Sequence, residues 1–231
     1  MAKKRFAREK EGSMPKFDAF VFDLDGTLLN TLPDLVALTN RSLAKAGFPT
    51  RTEPEILSFV GNGLRALMGC AVPEGASAHD VDAVMQNWKD DYAEFGIALT
   101  APYEGMCETL VALKERGKKL AVLSNKFDGG VQEIVPHFFP GLFEVQHGEC
   151  DRIPRKPDPT GLLLTMEELG VAPERTVYVG DSKGDMVVAH AAGTYALGVS
   201  WGYQSKEELQ AGKADRIIDA PASLLEVAGV R

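Results

Sequence analysis

The sequence has 231 residues, of which 45% are hydrophobic and 25% charged, a composition typical of a soluble globular chain with one large domain or two smaller ones. Its formal net charge of −8 argues against nucleic acid or an anionic membrane as a partner, because the whole chain repels polyanions. No apolar run approaches the roughly 20 residues that span a bilayer, so a membrane-spanning function is also disfavoured.

Cysteine usage favours a reducing, cytoplasmic setting. The three cysteines lie far apart, at positions 70, 107 and 150, and no CxxC pair occurs, so neither a disulfide framework nor a zinc cluster is indicated. Basic side chains are concentrated in residues 1–14. We expect a disordered, solvated tail there rather than an arm that binds nucleic acid.

The first predicted strand ends in an acidic loop. An apolar run over residues 17–22 favours a strand, and Asp23-Leu24-Asp25-Gly26-Thr27 follows it directly. Because side chains alternate along a strand, Asp23 and Asp25 should face the same way, roughly 6 to 7 Å apart along the chain, while Leu24 points into the core. Such a pair suits a divalent cation, although an acidic turn that only closes a strand has the same sequence.

Residues 31–101 are predicted to be all-helical. Apolar residues recur at helical spacing over 31–46, 54–59, 64–69 and 79–95, and no convincing strand lies among them. We therefore predict a helical cap domain over 31–101, inserted after the first strand. Asn30 and Pro102, which bracket it, should mark two linkers that act as a hinge.

Strands and helices alternate from residue 102 onward. The pattern predicts strands over 120–123, 143–145, 176–179, 195–199 and 216–218, with helices over 106–116, 130–135, 159–169, 186–192, 206–211 and from 221. This order is typical of an α/β fold with a Rossmann-like, doubly wound parallel sheet, formed here by residues 15–30 and 102–231. In such sheets ligands bind beyond the carboxyl ends of the strands.

Polar side chains follow several of these strands. The candidates are Asp23, Asp25, Ser124, Asp181 and Asp185, with Lys156 ahead of a helix at the same rim. Three of them also have a structural explanation. Ser124 could cap a helix, and Lys156 could lie in a solvated loop. Asp185 could be a carboxylate in the first turn of a helix, where the helix dipole favours it. Four separate segments that deliver such groups to one crevice are better explained by a common site.

The ordered set of motifs resembles that of the haloacid dehalogenase superfamily of phosphatases, with a helical cap after the first strand. The resemblance extends from about residue 17 to the end of the chain. It implies that Asp23 is a nucleophile and Asp25 a general acid and base. The dehalogenase branch lacks the second aspartate, so Asp25 favours phosphoryl transfer over cleavage of a carbon–halogen bond.

The same resemblance implies the other members of the site. Mg²⁺ is expected on the Asp23 carboxylate, the Asp25 carbonyl and Asp181, with Asp185 binding through water or supporting the other ligands. The phosphoryl group is expected to contact Ser124, Lys156, Asn125 and the loop at Thr27. Hydrolysis would then proceed through an aspartyl-phosphate.

A glycine turn in the predicted cap points to a substrate group. Gly61-Asn62-Gly63 precedes a helix and would present free N–H groups to an anion, although a ligand-free turn would have the same sequence. Arg65 and Lys126 are candidates for a substrate carboxylate, and surface exposure explains them equally well. With the first loop and Ser124, this turn is similar to the phosphoglycolate phosphatase group.

We therefore expect a Mg²⁺-dependent phosphatase that acts on a small phosphorylated metabolite, with 2-phosphoglycolate as the leading candidate. We expect the protein to be a monomer or a homodimer. One alternative is a sugar phosphomutase of the β-phosphoglucomutase type, which passes the phosphoryl group to a second hydroxyl. The other is a regulatory protein that binds a phospholigand without turnover.

Overall fold

The structure is a computed structural model that describes residues 16–229, so the basic tail predicted over residues 1–14 lies outside the described part. Its strands are β1 (Ala19–Phe22), β2 (Leu29–Asn30), β3 (Ala101–Pro102), β4 (Lys119–Phe127), β5 (Val145–Glu149), β6 (Thr176–Gly180), β7 (Tyr195–Val199) and β8 (Arg216–Ile218). Its helices are α1 (Leu32–Lys45), α2 (Glu53–Phe59), α3 (Gly63–Ala71), α4 (Ala78–Phe95), α5 (Met106–Glu115), α6 (Asp128–Phe138), α7 (Thr160–Leu169), α8 (Lys183–Ala192), α9 (Lys206–Ala211) and α10 (Leu224–Val227).

A six-stranded sheet forms the centre of the molecule. Its strand order is β5-β4-β1-β6-β7-β8, and all five neighbouring pairs are parallel. Every residue of β1, β6 and β7 is buried, because helices cover both faces of the sheet. The predicted doubly wound α/β fold is confirmed.

The alternation of side chains along β1 divides the core into two layers. Phe20, Phe22 and Leu24 pack with α5, α6 and α10 on one face. Ala19 and Val21 pack with α7, α8 and α9 on the other. The predicted inward direction of Leu24 is confirmed, since its side chain is fully buried.

Helices α1 to α4 share an apolar cluster of their own. Its buried members are Leu38, Leu43, Leu67, Met68, Ala71, Val72, Val84, Trp88 and Tyr92. The helical character predicted for residues 31–101 is confirmed, with helix ends that differ by one or two residues. None of the helices within residues 16–229 combines the length and apolar character of a membrane span.

The two linkers of the helical unit form a short ribbon that periodicity did not predict. Strands β2 and β3 pair antiparallel, with Leu29 opposite Pro102 and Asn30 opposite Ala101. Two residues per strand are too few to produce a readable alternation. Next to the ribbon, the buried Asp34 accepts hydrogen bonds from the backbone of Leu99 at 3.0 Å and the hydroxyl of Thr100 at 2.6 Å, which joins α1 to the second linker.

Two strands of the sheet differ from their predicted positions. Strand β4 continues to Phe127, past its predicted end at Leu123, with a register shift between Leu123 and Phe127. Strand β5 begins at Val145, whereas a strand was predicted over 143–145. β5 is an edge strand and therefore carries polar residues, so its sequence lacks the apolar run of a central strand.

Side chains of α6 bind backbone groups of β5. The side-chain amide of Gln132 donates to the carbonyl of Gln146 at 2.8 Å. The N–H of Gly148 donates to Asp128 Oδ1 at 2.9 Å. These contacts attach the edge strand to the helix that precedes it.

Candidate active site

A cavity of about 250 Å³ lies between the carboxyl ends of the strands and the helical unit. The sheet side contributes Asp23, Asp25, Ser124, Lys156, Asp181 and Asp185 to its lining. The helical side contributes Leu35, Leu57, Val60, Leu64, Leu67 and Trp88. The structure thus brings together all six side chains that the sequence placed at the strand ends.

Three carboxylates form a compact acidic cluster. Asp23, Asp181 and Asp185 each offer an oxygen, and these oxygens lie within 4.8 Å of one another. Burial, together with the charge of Asp185, raises the pKa of Asp23 to about 7 although Lys156 opposes the shift. Burial and the charges of Asp185 and Asp23 raise the pKa of Asp181 to about 8. A hard cation with oxygen ligands fits this donor set, because it would relieve the mutual repulsion.

Asp185 has both a structural and an electrostatic partner. Its Oδ2 accepts from the backbone N–H of Ser182 at 3.0 Å and from the Ser182 hydroxyl at 2.6 Å, forming a capping box at the start of α8. Its Oδ1 lies 2.7 Å from Lys156 Nζ. The helix-terminus explanation considered for Asp185 is therefore correct, and the same side chain also belongs to the acidic cluster.

Lys156 is enclosed by three acceptors. Its Nζ lies 2.9 Å from Asp23 Oδ1, 2.7 Å from Asp185 Oδ1 and 2.9 Å from the hydroxyl of Tyr178. Burial opposes its charge, but the carboxylates of Asp185 and Asp23 hold the pKa of Lys156 well above the usual value. An ammonium has three N–H donors, so each of them has an acceptor here. The solvated-loop explanation for Lys156 is wrong, since its side chain is only 5% exposed.

Tyr178 is a member of the site that the sequence pattern did not predict. It is fully buried in β6, and its hydroxyl lies 3.1 Å from the carbonyl of Leu123 and 3.3 Å from Asp185 Oδ1. A phenol inside an otherwise apolar strand is the one available signal, because a buried hydroxyl needs polar neighbours. Tyr178 therefore links the middle of β4 to Lys156.

Asn125 braces the segment that carries Lys156. Its Oδ1 accepts from the Lys156 N–H at 2.7 Å, and its Nδ2 donates to the Lys156 carbonyl at 3.2 Å and to the Gly61 carbonyl at 2.9 Å. Asn125 also lines the cavity, and its contact with the phosphoryl group stays a prediction. Asn125 holds Lys156 and joins it to the cap, while the adjacent Ser124 hydroxyl accepts from the N–H of Lys126 at 3.2 Å.

Thr27 contacts the acidic cluster through its hydroxyl group. Its hydroxyl is fully buried and donates to Asp181 Oδ1 at 3.0 Å. Within the same loop, the N–H of Gly26 donates to the carbonyl of Leu29 at 2.9 Å, and the N–H of Thr27 donates to the carbonyl of Leu24 at 3.3 Å. Both donors of Thr27 therefore have acceptors inside the fold, and its contact with a phosphoryl group stays a prediction.

Of the cap residues predicted to bind substrate, the glycine turn lines the cavity and Arg65 does not. Gly61, Asn62 and Gly63 line the cavity at the N-terminus of α3. Arg65, two residues further along the helix and thus about 200° around it from Gly63, pairs with Asp82 at 2.5 Å and is 58% exposed. The helix phase turns Arg65 away from the cavity.

Lys126 and Phe127 connect the end of β4 to the cap. Lys126 lines the cavity with its side chain 7% exposed, and its Nζ lies 3.8 Å from Asp25 Oδ1 and 5.6 Å from the Tyr92 ring centre. The Phe127 ring meets Trp88 and Tyr92 edge-on, at centroid distances of 6.2 and 5.3 Å. These contacts hold α4 against the sheet.

The segment Trp201-Gly202-Tyr203 also escaped the sequence analysis. The indole N–H of Trp201 donates to the Thr27 carbonyl at 3.0 Å, and the N–H of Tyr203 donates to Asp181 Oδ2 at 2.7 Å. A Cβ on Gly202 would lie 2.5 Å from the Gly26 carbonyl oxygen and would also collide with Asp181. The segment follows β7, next to β6, so its place at the rim could be inferred from strand order but not its partners.

Comparison with known proteins identifies a matching family. Residues 20–199 match the family model of the haloacid dehalogenase-like hydrolases. The phosphoglycolate phosphatase of Pseudomonas putida is 34% identical over 220 residues, which cover 93% of this chain and 80% of the relative. The N-acetylmuramic acid 6-phosphate phosphatase of Pseudomonas aeruginosa is also 34% identical, over 92% of this chain and 95% of the relative.

A solved structure has the same overall arrangement. The crystal structure of a predicted phosphoglycolate phosphatase from Haemophilus somnus 129pt superposes with a TM-score of 0.87. It is 31% identical in sequence, and the match covers 93% of this chain and 99% of that one. The match therefore includes both the sheet and the helical unit.

Proposed function

The chain belongs to the haloacid dehalogenase-like hydrolases and is a phosphoric monoester hydrolase, and from this premise we propose that it hydrolyses 2-phosphoglycolate in a Mg²⁺-dependent reaction through an aspartyl-phosphate. One observation carries the proposal. The acidic cluster and the Lys156 ammonium meet at one end of a small cavity that the cap closes at the other.

Asp23, Asp181 and Asp185 would hold the cation, and metal binding by the Asp25 carbonyl stays a prediction. Their oxygens are close enough together to share one ion. When bound, Mg²⁺ would neutralise charge on the phosphoryl oxygens and so permit a carboxylate to approach them. The raised pKa values of Asp23 and Asp181 support this assignment, because a cation would favour their ionised forms.

The proposed reaction has two steps. In the first, a carboxylate oxygen of Asp23 forms a bond to phosphorus, the bond between phosphorus and the ester oxygen breaks, and Asp25 gives its proton to the leaving alkoxide. In the second, Asp25 takes a proton from a water molecule whose oxygen attacks the same phosphorus, which releases Asp23 and orthophosphate. Lys156 and the Ser124 hydroxyl would hold phosphoryl oxygens in both steps.

The size of the cavity supports a compact substrate. Its volume of about 250 Å³ lies below the roughly 300 to 1,000 Å³ of sites for drug-sized ligands. Lys126 offers an ammonium at the wall, and its nearest carboxylate, that of Asp25, is 3.8 Å away. A phosphorylated acid with one short carbon chain would place its carboxylate against this charge.

We further infer that residues 31–101 act as a cap domain that moves about the β2–β3 ribbon. The cap supplies one wall of the cavity, so its movement would change the width of the entrance. Closure would then exclude water before Asp23 attacks.

N-acetylmuramic acid 6-phosphate is the second candidate substrate. A relative with this activity is as similar in sequence as the phosphoglycolate phosphatase from Pseudomonas putida. Both compounds pair a phosphomonoester with a carboxylate, so Lys126 fits either. Cavity volume favours the smaller one.

A screen of phosphorylated metabolites tests the proposal. Phosphate release would be measured with Mg²⁺ and with EDTA, and kcat/KM compared across substrates. We expect 2-phosphoglycolate to rank first and EDTA to abolish release. A rank well below several sugar phosphates would contradict the substrate, and interconversion of hexose phosphates without phosphate release would indicate a phosphomutase.

Asp23→Asn tests the nucleophile. Because the amide cannot form the phosphoenzyme, we expect kcat to fall by roughly four orders of magnitude or more. Asp158→Asn, an exposed carboxylate in the segment after Lys156, serves as the control and should retain activity. Unchanged phosphate release by Asp23→Asn would disprove the assigned role.

A further inference from the structure

The Tyr203 hydroxyl joins the sheet domain to the first residues of α1. It accepts hydrogen bonds from the backbone N–H groups of Thr31 and Leu32, both at 2.9 Å. Thr31 precedes α1 but uses its own hydroxyl elsewhere, on Asp25. Tyr203 therefore caps the N-terminus of the first cap helix from outside that helix, a task usually done by the preceding side chain.

Counting donors gives the direction of the remaining hydrogen bonds. The Tyr203 and Thr31 hydroxyls lie 3.1 Å apart, and either could donate. The phenol oxygen already accepts two N–H groups, so its own hydrogen is free to go to Thr31 Oγ1. The Thr31 hydrogen then goes to Asp25 Oδ1, at 2.7 Å. The chain runs from Tyr203 through Thr31 to Asp25.

Asp25 has few other restraints. Within residues 16–229, the Thr31 hydroxyl is the hydrogen-bond donor to its carboxylate, and Lys126 Nζ is 3.8 Å away. The side chain is 18% exposed, at the cavity wall. The direction in which the Asp25 carboxylate points therefore depends on where Thr31 is held.

Tyr203 itself is well fixed. Its N–H donates to Asp181 at 2.7 Å, and its ring is 2.8 Å from the position a Cβ on Gly26 would take. The adjacent Trp201 donates to Thr27. The phenol is thus a rigid reference point attached to the acidic cluster.

We propose that Tyr203 is a positioning residue, which acts through Thr31 to aim Asp25 at the leaving-group oxygen. The proposal rests on the proposed function, in which Asp25 is the general acid. Since the same phenol binds the start of α1, a correctly placed Asp25 requires that α1 be docked against the sheet domain.

Leaving-group chemistry separates this role from a purely structural one. An alkyl phosphate needs a proton on its departing oxygen, whereas p-nitrophenyl phosphate releases a stable phenolate that needs little help. The quantity to compare is kcat/KM, which covers the steps through departure of the alcohol. The variants are Tyr203→Phe, Thr31→Val, Thr31→Ser and the double variant Tyr203→Phe/Thr31→Val, with Tyr103→Phe as the control.

Tyr103 is a suitable control because it is a partly buried phenol near the same loop, 6.3 Å from the Trp201 ring. We expect Tyr203→Phe and Thr31→Val to lower kcat/KM for the best alkyl substrate about tenfold, a fraction of what a general acid contributes. For p-nitrophenyl phosphate the loss should stay below about threefold. The double variant should be no worse than Thr31→Val, since the two groups act in series, and Thr31→Ser should restore most of the activity.

Equal losses on the two substrates would overturn the proposal, as would a Tyr203→Phe protein that matches Tyr103→Phe. Failure of the proposed function gives a different result, in which the wild-type protein releases no phosphate or Asp23→Asn retains activity. An unchanged inhibition constant for orthophosphate reports an intact site in each variant. If Tyr203→Phe does not fold, Thr31→Val and Thr31→Ser decide the question, because both keep the phenol.

Discussion

Lys156 illustrates at the residue scale how a buried charge is maintained. Two carboxylates and one phenol take its three N–H donors, and the phenol also lies within hydrogen-bond reach of a backbone carbonyl. Removing one acceptor leaves a donor unsatisfied inside the protein. The cost of such a group is about 1 to 3 kcal/mol.

Tyr178→Phe should therefore lower the free energy of unfolding by about 1 to 3 kcal/mol, because both Lys156 and the Leu123 carbonyl lose a partner. Urea unfolding of the metal-free protein measures this change. Tyr103→Phe is the matched control and should change stability by less than about 0.5 kcal/mol. Equal stability of the two variants would show that the Tyr178 hydroxyl contributes nothing.

The acidic cluster should make stability depend on pH. The folded protein raises the pKa of Asp23 to about 7 and that of Asp181 to about 8, above the usual aspartate value of 3.8. Protons bound by these groups stabilise the folded state below pH 4, and this contribution is lost as pH rises through 7 and 8. In EDTA, we therefore expect the melting temperature to fall as the pH rises from about 4 to about 8.

Mg²⁺ should remove most of that decline, because it binds the ionised cluster. Thermal unfolding at several pH values, with EDTA or with Mg²⁺, measures both effects. Asp181→Asn, which cannot titrate, should flatten the EDTA curve. A wild-type curve that is already flat in EDTA would contradict the pKa assignments of Asp23 and Asp181.

Residue identity predicts which side chains belong to the site better than it predicts their hydrogen-bond partners. Asp23 and Lys156 were found because their residue types and strand-end positions are distinctive. The hydrogen bonds that Thr27 and Asn125 make within the fold could not be predicted, since they run to residues distant in sequence. The contacts of Tyr203 span more than 170 positions, which no local pattern encodes.

At the scale of elements, the loop after β7 has a greater role than its length suggests. Gly202 is the point where this loop passes the acidic cluster, with no room for a side chain between Asp181 and Gly26. A methyl group there would push Asp181 or the loop aside. A displacement of about 1 Å at a catalytic group can cost about a hundredfold in rate.

Gly202→Ala should therefore lower kcat/KM roughly 10- to 100-fold and weaken Mg²⁺ binding. Steady-state kinetics and calorimetric titration with Mg²⁺ measure the two effects. Gly69→Ala is the control, because its Cβ would meet nothing within 4 Å on α3, and it should stabilise the helix slightly. Normal metal affinity in Gly202→Ala would indicate that Asp181 tolerates the shift.

The elements that could be predicted are those with a clear period. Buried β1, β6 and β7 are short apolar runs, and α1 and α4 have apolar stripes. Edge strand β5 lacks such a run because one of its sides is exposed, and α6 supplies polar partners for it. The polar end of β4 was missed because its side chains serve the site, and function there overrides the usual strand composition.

At the scale of the whole molecule, the closed arrangement depends on a few contacts between cap and sheet. The Phe127 ring against Trp88 and Tyr92 contributes two aromatic pairs, together worth about 1 to 3 kcal/mol. Asn125 adds one hydrogen bond to Gly61. For the proposed cap movement, this is enough to favour the closed position and small enough to allow opening.

Phe127→Ala should shift the cap toward an open position by about 5- to 150-fold, the equivalent of those two pairs. We expect a higher KM and a larger radius of gyration in X-ray scattering, with a phosphate analogue partly restoring the closed form. Val111→Ala, an exposed apolar residue of α5 at 41% exposure, is the control. Identical scattering of the wild-type and Phe127→Ala proteins would contradict a role of the Phe127 contacts in holding the cap closed.

The β2–β3 ribbon also has an evolutionary consequence. Asn30 and Ala101 face each other across it, so the polypeptide leaves the sheet domain and returns at nearly one point, where paired Cα atoms are about 4.5 to 5.5 Å apart. A hairpin turn of two residues bridges such a gap. We therefore expect that the inserted segment could be replaced or deleted without a change in strand order. A lineage could acquire new substrates by swapping this insert while inheriting the reactive groups intact.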